Sequence, residues 1–306
     1  MPIDLLAVCM GGPRAELGET PRIDARSGEL LWTDITGGNV HIGAIKGTSF
    51  ELLRSIDVAG MAGPATPLLE PGSGWVMARE SELVHLAHDG VVSALAAPEA
   101  GRPTAFNDGA ADTEGNLWVG SMGRNGVLGQ GRLWRFDTSG TGQVVLEGIG
   151  ISNGLDFSAD GHSAYYVDTS TRVLRRFDID AQTGIVGTTD LVVFPPGAGD
   201  PDGLVVDDEG CIWVALWDGW AVHRYSPGGE LLAVVNVPVQ RPTAVALAGN
   251  LLIITSCSGW LEKGWEQEQP DAGKLFCVTV GVGGPSARPY RGPLRISVAQ
   301  STEGAP

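Results

Sequence analysis

A chain of 306 residues has room for a large core, and its 43% hydrophobic content sets it apart from disordered proteins. The formal charge of −16, from 36 acidic against 20 basic residues, argues against a nucleic-acid partner, which would need a basic footprint. No apolar run approaches the roughly 18 residues of a membrane span, and 45 glycines with 19 prolines suit many tight turns rather than long helices.

Residues 1–12 lack a basic leader region and carry a short apolar run, so they read as a first strand rather than a signal peptide. The expectation is a cytoplasmic protein with a small-molecule substrate and no membrane partner. Cys9, Cys211, Cys257 and Cys277 form no Cys-x-x-Cys pair and are expected as buried free thiols.

From residue 24 onward one phrase recurs: a turn ending in glycine, then a β-rich strand. It appears at Asp24 to Asp34, Asp112 to Gly120, Ser158 to Asp168 and Asp207 to Ala215, with weaker copies at Pro71 to Ala78 and Ala248 to Thr255. Third strands follow, such as Leu133-Trp134-Arg135-Phe136 and Val173-Leu174-Arg175-Arg176-Phe177. A period of about 40 to 48 residues is that of a four-stranded propeller blade. Six copies predict an all-β fold, a six-bladed β-propeller, as a single domain over residues 1–306. Residues 5–10 are expected to close the last blade beside residues 274–280, which removes open sheet edges. A pair of β-sandwiches is the competing architecture.

In a propeller the first strand of each blade lines the central channel. Asn107, Asn153 and Asp202 each lie eight residues before a turn glycine, and Glu19 lies nine before Gly28. The corresponding positions in the weak copies fall near Thr66 and Thr243. Two carboxylates and two amides converging on one point would repel or stay undersolvated without a cation between them. Oxygen donors without His or Cys suit Ca²⁺, Mg²⁺ or Mn²⁺ better than Zn²⁺. The bland alternative is that each Asn-Gly or Asp-Gly pair simply makes a turn.

At these positions the sequence resembles the senescence marker protein / gluconolactonase / luciferin-regenerating enzyme family of regucalcin-like, calcium-dependent lactonases. The matching stretches are Leu17-Gly18-Glu19, Leu31-Trp32-Thr33-Asp34-Ile35, Asn107-Asp108-Gly109, Leu117-Trp118-Val119-Gly120-Ser121-Met122, Ile151-Ser152-Asn153-Gly154-Leu155, Tyr165-Tyr166-Val167-Asp168, Pro201-Asp202-Gly203 and Arg241-Pro242-Thr243. The resemblance implies one catalytic divalent metal, Ca²⁺ with Mg²⁺, Mn²⁺ or Zn²⁺ as alternatives, held by Glu19, Asn153 and Asp202. It implies further that Asn107 is a metal or substrate ligand and that Asp202 doubles as general base. Sugar-lactonase members carry an arginine two residues before the asparagine of Asn-Asp-Gly, and here that position is Ala105. Arg102 or Arg124 is a candidate replacement toward the substrate. Trp217, Trp220, Trp260 and Trp265 fall in loop-like stretches, where they either wall an apolar pocket or pack the blades.

The expected activity is a metal-dependent hydrolase, a lactonase opening a cyclic ester. The alternatives are a metal-dependent enzyme acting on an apolar aryl ester, organophosphate or biosynthetic intermediate, and a non-catalytic calcium-binding propeller. Gly150-Ile151-Ser152-Asn153-Gly154 fits the nucleophile-elbow spelling, but an Asp-Gly turn stands where that motif needs a helix, so Ser152 is set aside. His41, His85, His88, His162 and His223 show no ligand spacing. Asp34 and Asp168 are expected to cap loops, and Asp108 and Asp156, next to ring residues, to make structural hydrogen bonds.

Overall fold

The recurring phrase is a hydrogen-bonded unit before it is a strand. In Asp112-Thr113-Glu114-Gly115, Asp112 Oδ1 accepts the N–H groups of Glu114 (3.0 Å) and Asn116 (2.9 Å), and Gly115 takes φ 85° to reverse the chain. Asp112 Oδ2 then accepts Trp118 Nε1 at 2.8 Å, tying the turn to a tryptophan with no exposed surface. Asp207 repeats the arrangement with Glu209, Cys211 and Trp213. Each such turn therefore fixes where the next strand begins and which side chain it buries.

A computed structural model of the chain describes residues 2–180 and 184–298. Six antiparallel sheets follow one another. From the centre outward, blade 1 runs Gly18–Ile23, Leu30–Asp34, Asn39–Lys46 and Ser49–Asp57. Blade 2 runs Ala62–Pro67, Trp75–Arg79, Glu82–Leu86 and Val92–Ala96. Blade 3 is Thr104–Ala111, Leu117–Gly123, Gly131–Phe136 and Thr141–Ile149. Blade 4 is Ser152–Phe157, Ser163–Asp168, Val173–Asp180 and Gly184–Val193. Blade 5 is Asp200–Val206, Ile212–Trp217, Ala221–Tyr225 and Leu231–Asn236. Blade 6 is Pro242–Ala248, Leu251–Ser256 and Leu275–Thr279, with Val8–Gly11 as its outer strand. Each innermost strand touches the next, and that of blade 6 touches that of blade 1, so the ring closes. The cores lie between blades: Leu31 and Ile42 of blade 1 meet Trp75 and Met77 of blade 2, and Tyr165 and Val167 of blade 4 meet Val206 and Val214 of blade 5. The fold is a six-bladed β-propeller.

Closure differs from the sequence expectation in one respect. Residues 5–10 are not one strand: the chain crosses between blades at buried Ala7, whose N–H donates to Asn236 O. Ile3–Leu6 adds a parallel fifth strand to blade 5, and Val8–Gly11 alone pairs with Leu275–Thr279. At the other end, residues 281–298 run back across the far face of the propeller. Gly283 O accepts from Asp208 N, Ala287 N donates to Ile23 O, Tyr290 N to Pro67 O and Ser297 N to Gly140 O, stitching blades 5, 1, 2 and 3. Ser297–Val298 ends as a short parallel strand on blade 3.

Among the described residues no helix is long and apolar enough to cross a membrane. The four cysteines are free; Cys211, Cys257 and Cys277 are buried as expected, while Cys9 is only half-buried.

Candidate functional site

Every inner strand carries an irregularity near its start; Asn107, Asn153, Asp202 and Thr243 occupy it, and Glu19 stands directly before it. Pairing with the second strand skips residues 107–108 in blade 3, 153–154 in blade 4, 202–203 in blade 5 and 243–244 in blade 6. These are β-bulges, which re-aim side chains out of the ladder. Asn153-Gly154 and Asp202-Gly203 are therefore not turns. Their glycines are needed for close approach: a Cβ on Gly154 would stand 2.6 Å from Asp202 O, and one on Gly203 would stand 2.4 Å from Ala244 Cβ. Each bulge rests against the inner strand of the next blade.

Two register readings are refined. In blade 1 Gly18 faces Asp34 as Ser152 faces Asp168, which places Glu19 level with Asn153. The ninth residue before Gly28 lies in the turn: Gly28 N donates to Asp24 O four residues back, where Gly115, Gly161 and Gly210 each reach back only three. Thr20, at φ 43°, donates its N–H to Glu19 Oε2 at 3.2 Å. In blade 2 the skipped pair is 63–64, so the ring position is Gly63 and not Thr66. The loop of residues 68–74 between its first two strands is longer than the others, which displaced a count made back from Gly74. Thr243 does occupy the ring position of blade 6, donating to Gly18 O.

Glu19, Asn107, Asn153 and Asp202 are all buried, with 4%, 6%, 6% and 4% of their surface exposed. Asn153 Nδ2 donates to Thr169 Oγ1 (3.0 Å), and that hydroxyl donates to Pro201 O (2.7 Å), linking blades 4 and 5. This fixes the amide so that Asn153 Oδ1 is buried without a hydrogen-bond partner; Asp202 Oδ1 is in the same condition. Asn107 Nδ2 donates to Ser152 O at 2.8 Å. Burial first, then the charges of Asp202 and Asp108, hold the Glu19 carboxyl well above its ordinary range. Burial and the Asp108 charge do the same to Asp202, opposed by the Asn153 side chain and the Gly203 N–H. Glu19, Asp202 and Asp108 share one electrostatic space that is short of positive charge, and the Asn153 side chain reaches into it. A hard cation there would satisfy the two orphaned oxygens and relieve the repulsion between the carboxylates. Among the described residues no three His, Cys, Asp or Glu side chains cluster around a point, so amide oxygens would have to complete such a set.

Sequence reasoning missed Thr169, whose signal is its place directly after Asp168. It also underrated Asp108. Asp108 makes the expected structural bonds, to the Gly109 N–H (2.7 Å) and to Arg22 (3.5 Å), yet its charge also acts on both Glu19 and Asp202. Asp156 is bound by the Val206 and Phe157 N–H groups and by Arg288. Asp34 accepts three loop N–H groups and Asp168 three, from residues 16, 17 and 37 and from 150, 151 and 170.

Ser152 is fully buried and its Oγ accepts Tyr166 OH at 2.9 Å, on a strand with no helix after it. Cys257 lies close enough to feel Glu19 and Asp202, but burial pushes its thiol up to about 12, so it is a neutral thiol. His41 bonds Ser55, His85 bonds Ser73 O and His223 bonds Tyr225, all away from the ring.

The substrate-side candidates separate. Arg124 follows the second strand of blade 3 and lines a cavity with Ala105, Met122 and Ile151, but its Nη2 bonds Glu80 Oε2 and its Nε bonds Thr104 O. Arg102 is drawn to Glu99 and Gln130 O. Trp217 and Trp260 stand together, ring centroids 6.4 Å apart, with the Arg241 guanidinium 4.6 Å over Trp217. Trp265 instead packs against the blade 5 and 6 core.

The family profile described as SMP-30/Gluconolactonase/LRE-like region matches residues 17–258. A 6-deoxy-6-sulfogluconolactonase of Pseudomonas putida is 34% identical, covering 90% of this chain and 95% of its own. Regucalcin of Gallus gallus is 31% identical over 93% and 98%. The solved structure of a calcium-binding regucalcin from Agrobacterium tumefaciens superposes with a TM-score of 0.86 at 27% identity, covering 94% of this chain and 98% of that one. With its six blades, its inner-strand bulges and a profile match running from Leu17 to Ser258, the chain belongs to the SMP-30/gluconolactonase/LRE-like family.

Proposed function

We propose that the protein is a divalent-cation-dependent lactonase, opening a cyclic ester at the channel mouth. The observation that carries this reading is the pair of buried, unpartnered oxygens, Asn153 Oδ1 and Asp202 Oδ1, beside a Glu19 carboxyl that burial and the Asp202 charge keep protonated above its usual range. The Pseudomonas relative, a sulfogluconolactonase, and the Agrobacterium protein, a calcium-binding one, point the same way.

Glu19, Asn153 and Asp202 would hold the cation through oxygen alone, a donor set that suits Ca²⁺ ahead of Mg²⁺ or Mn²⁺. When bound, the cation supplies Lewis acidity toward the ester carbonyl and charge opposite the developing oxyanion. Asp202 accepts the proton of the attacking water. Thr169 keeps the Asn153 amide oxygen inward by occupying its nitrogen. Asn107, held by Ser152 O, orients the ring of the substrate. Trp217 and Trp260 wall the mouth on the side of blades 5 and 6, and Arg124 stands at the edge of the cavity on the opposite side.

The test is turnover of aliphatic, sugar and aryl lactones with and without chelator, in the wild type and in Asp202→Asn. The variant keeps an oxygen toward the cation and loses the base. Turnover should fall by about 10²-fold or more while cation-dependent thermal stabilisation survives in weakened form. Undiminished turnover in Asp202→Asn would remove Asp202 as base.

A further inference from the structure

The residues two positions before the ring set form a second layer nearer the mouth, because residues two apart on a strand share a face. Blades 2, 3 and 4 supply Met61, Ala105 and Ile151, and blades 5 and 6 supply Asp200 and Arg241. The two halves differ in chemistry. Asp200 and Arg241 are ion-paired, to Arg172 and Asp218 respectively. Met61, Ala105 and Ile151 line a cavity of about 270 Å³, together with Met122 and the exposed Leu128 at its rim. Met122 joins the walls by pairing with both Ala105 and Ile151. The charged side chain in this lining, Arg124, has its guanidinium bound by Glu80 Oε2 and Thr104 O.

We infer that this cavity takes an apolar substituent of the lactone, which makes the substrate class an alkyl- or aryl-substituted lactone rather than a polyhydroxylated sugar lactone. The inference rests on the lactonase reading of the adjoining ring. The other polar side chain of the lining, Asn125, is exposed. A sugar hydroxyl carried between Met61, Ala105, Met122 and Ile151 would lose its water and find thioether, methyl and methylene groups, at a cost of about 1–3 kcal/mol for each group left unpaired. An alkyl chain gains there. A dry cavity of about 150 Å³ holds benzene, so about 270 Å³ accommodates a short chain or an aryl ring.

The test is a series of γ-lactones from γ-butyrolactone to γ-nonalactone, with gluconolactone as the polar reference. kcat/KM should rise about fourfold per methylene and exceed that for gluconolactone. A flat or falling series, or a preference for gluconolactone, overturns the inference and leaves the lactonase reading standing. The matching γ-lactams, which keep ring and chain but resist opening, are titrated calorimetrically in parallel. Their affinity should climb by the same factor, with a negative heat-capacity change. A rising lactam series without turnover of any lactone would keep the cavity as an apolar subsite and remove the lactonase reading; a flat lactam series removes the subsite. Ala105→Leu shortens the cavity, and Leu128→Lys charges its exposed rim without touching the core. Both should flatten the chain-length dependence, and slopes as steep as the wild type's in both variants overturn the assignment.

Discussion

Asp202 and Glu19 repel each other in one buried space: after burial itself, the Asp202 charge is the strongest influence lifting the Glu19 carboxyl above its ordinary range, and neither group meets a compensating arginine as strong as the repulsion. In the unfolded chain both carboxyls return to ordinary values, near 4.5 and 3.8. The folded, cation-free protein therefore binds more protons than the unfolded one. Stability from these groups is complete below about pH 4 and is lost as pH rises through the raised folded values, by up to about 1.4 kcal/mol per pH unit for each proton retained. A cation replaces those protons. The melting-temperature difference between Ca²⁺-loaded and chelated protein should accordingly widen as pH rises from 5 to 8, reaching about 5 °C at a cation concentration one hundred times Kd. A pH-independent difference would mean that no cation sits between Glu19 and Asp202.

Asp202→Asn should act on stability in opposite directions in the two states. The neutral amide removes one repelling charge, so the chelated variant should melt about 2–5 °C above the chelated wild type at pH 8. With Ca²⁺ present the order should reverse, because the cation has lost a carboxylate. Differential scanning of both proteins in both buffers checks this. A variant less stable in chelator would show that Asp202 serves mainly as a structural hydrogen-bond acceptor.

How much of this was legible beforehand depended on whether a feature is local. Asp112 with Trp118 and Asp207 with Trp213 are six residues apart, so turn, strand and buried tryptophan can be read from one phrase. Spacing from those turns also located Asn107, Asn153 and Asp202. For Glu19 it needed one more residue, because the turn ending at Gly28 is longer by one, and it failed in the blade with the longest loop, which carries Gly63 rather than Thr66. The parallel pairing of Ile3–Leu6 with blade 5 bridges more than two hundred residues and has no local signal. The cavity beside Ala105 was beyond sequence reading for the same reason: Met61, Ala105 and Ile151 come from three blades and meet only when the ring closes. The return of residues 281–298 across the far face is likewise aperiodic, and contacts such as those of Gly283, Ala287, Arg288, Tyr290 and Ser297 reveal it.

Ser152→Ala separates a structural serine from a nucleophile. Its Oγ accepts the hydroxyl of fully buried Tyr166, whose titration burial pushes far up. Removing the acceptor strands that hydroxyl, at about 1–3 kcal/mol of stability. Lactone turnover should stay within about tenfold of wild type, since nothing in the proposed chemistry passes through Ser152 Oγ. A loss beyond about 10³-fold, the scale of a missing nucleophile, would restore the elbow reading.

The far-face strap should matter for stability and not for chemistry. Tyr290 is completely buried against Leu68, Phe136 and Trp134, and Arg288 reaches Asp156 Oδ1 at 2.9 Å and Phe157 O at 3.2 Å. Tyr290→Ala should cost about 3–5 kcal/mol, as for other large-to-small changes in a core. Arg288→Met, which keeps the length and drops the ion pair, should cost less, because Asp156 retains two backbone N–H donors. Denaturant midpoints measure both. A Tyr290→Ala loss below about 1 kcal/mol would mean that the strap lies loosely on the blades.

Trp260 combines exposure with strain at the opposite face. It is 60% exposed and holds φ 52°, while Asp218 and Trp220 in the neighbouring blade hold φ 58° and 56°. Three non-glycine residues in the left-handed region at one mouth each cost about 1–2 kcal/mol, and such strain concentrates where side chains face a ligand. Trp260→Gly relieves the backbone by about 1 kcal/mol and removes an aromatic contact with Trp217 of similar size, so stability should change by less than about 1 kcal/mol. KM for aryl lactones should rise severalfold with kcat retained, the signature of lost uniform binding. A packing role makes the reverse forecast, a lowered melting temperature with unchanged KM, and the two measurements on this one variant decide between wall and strut.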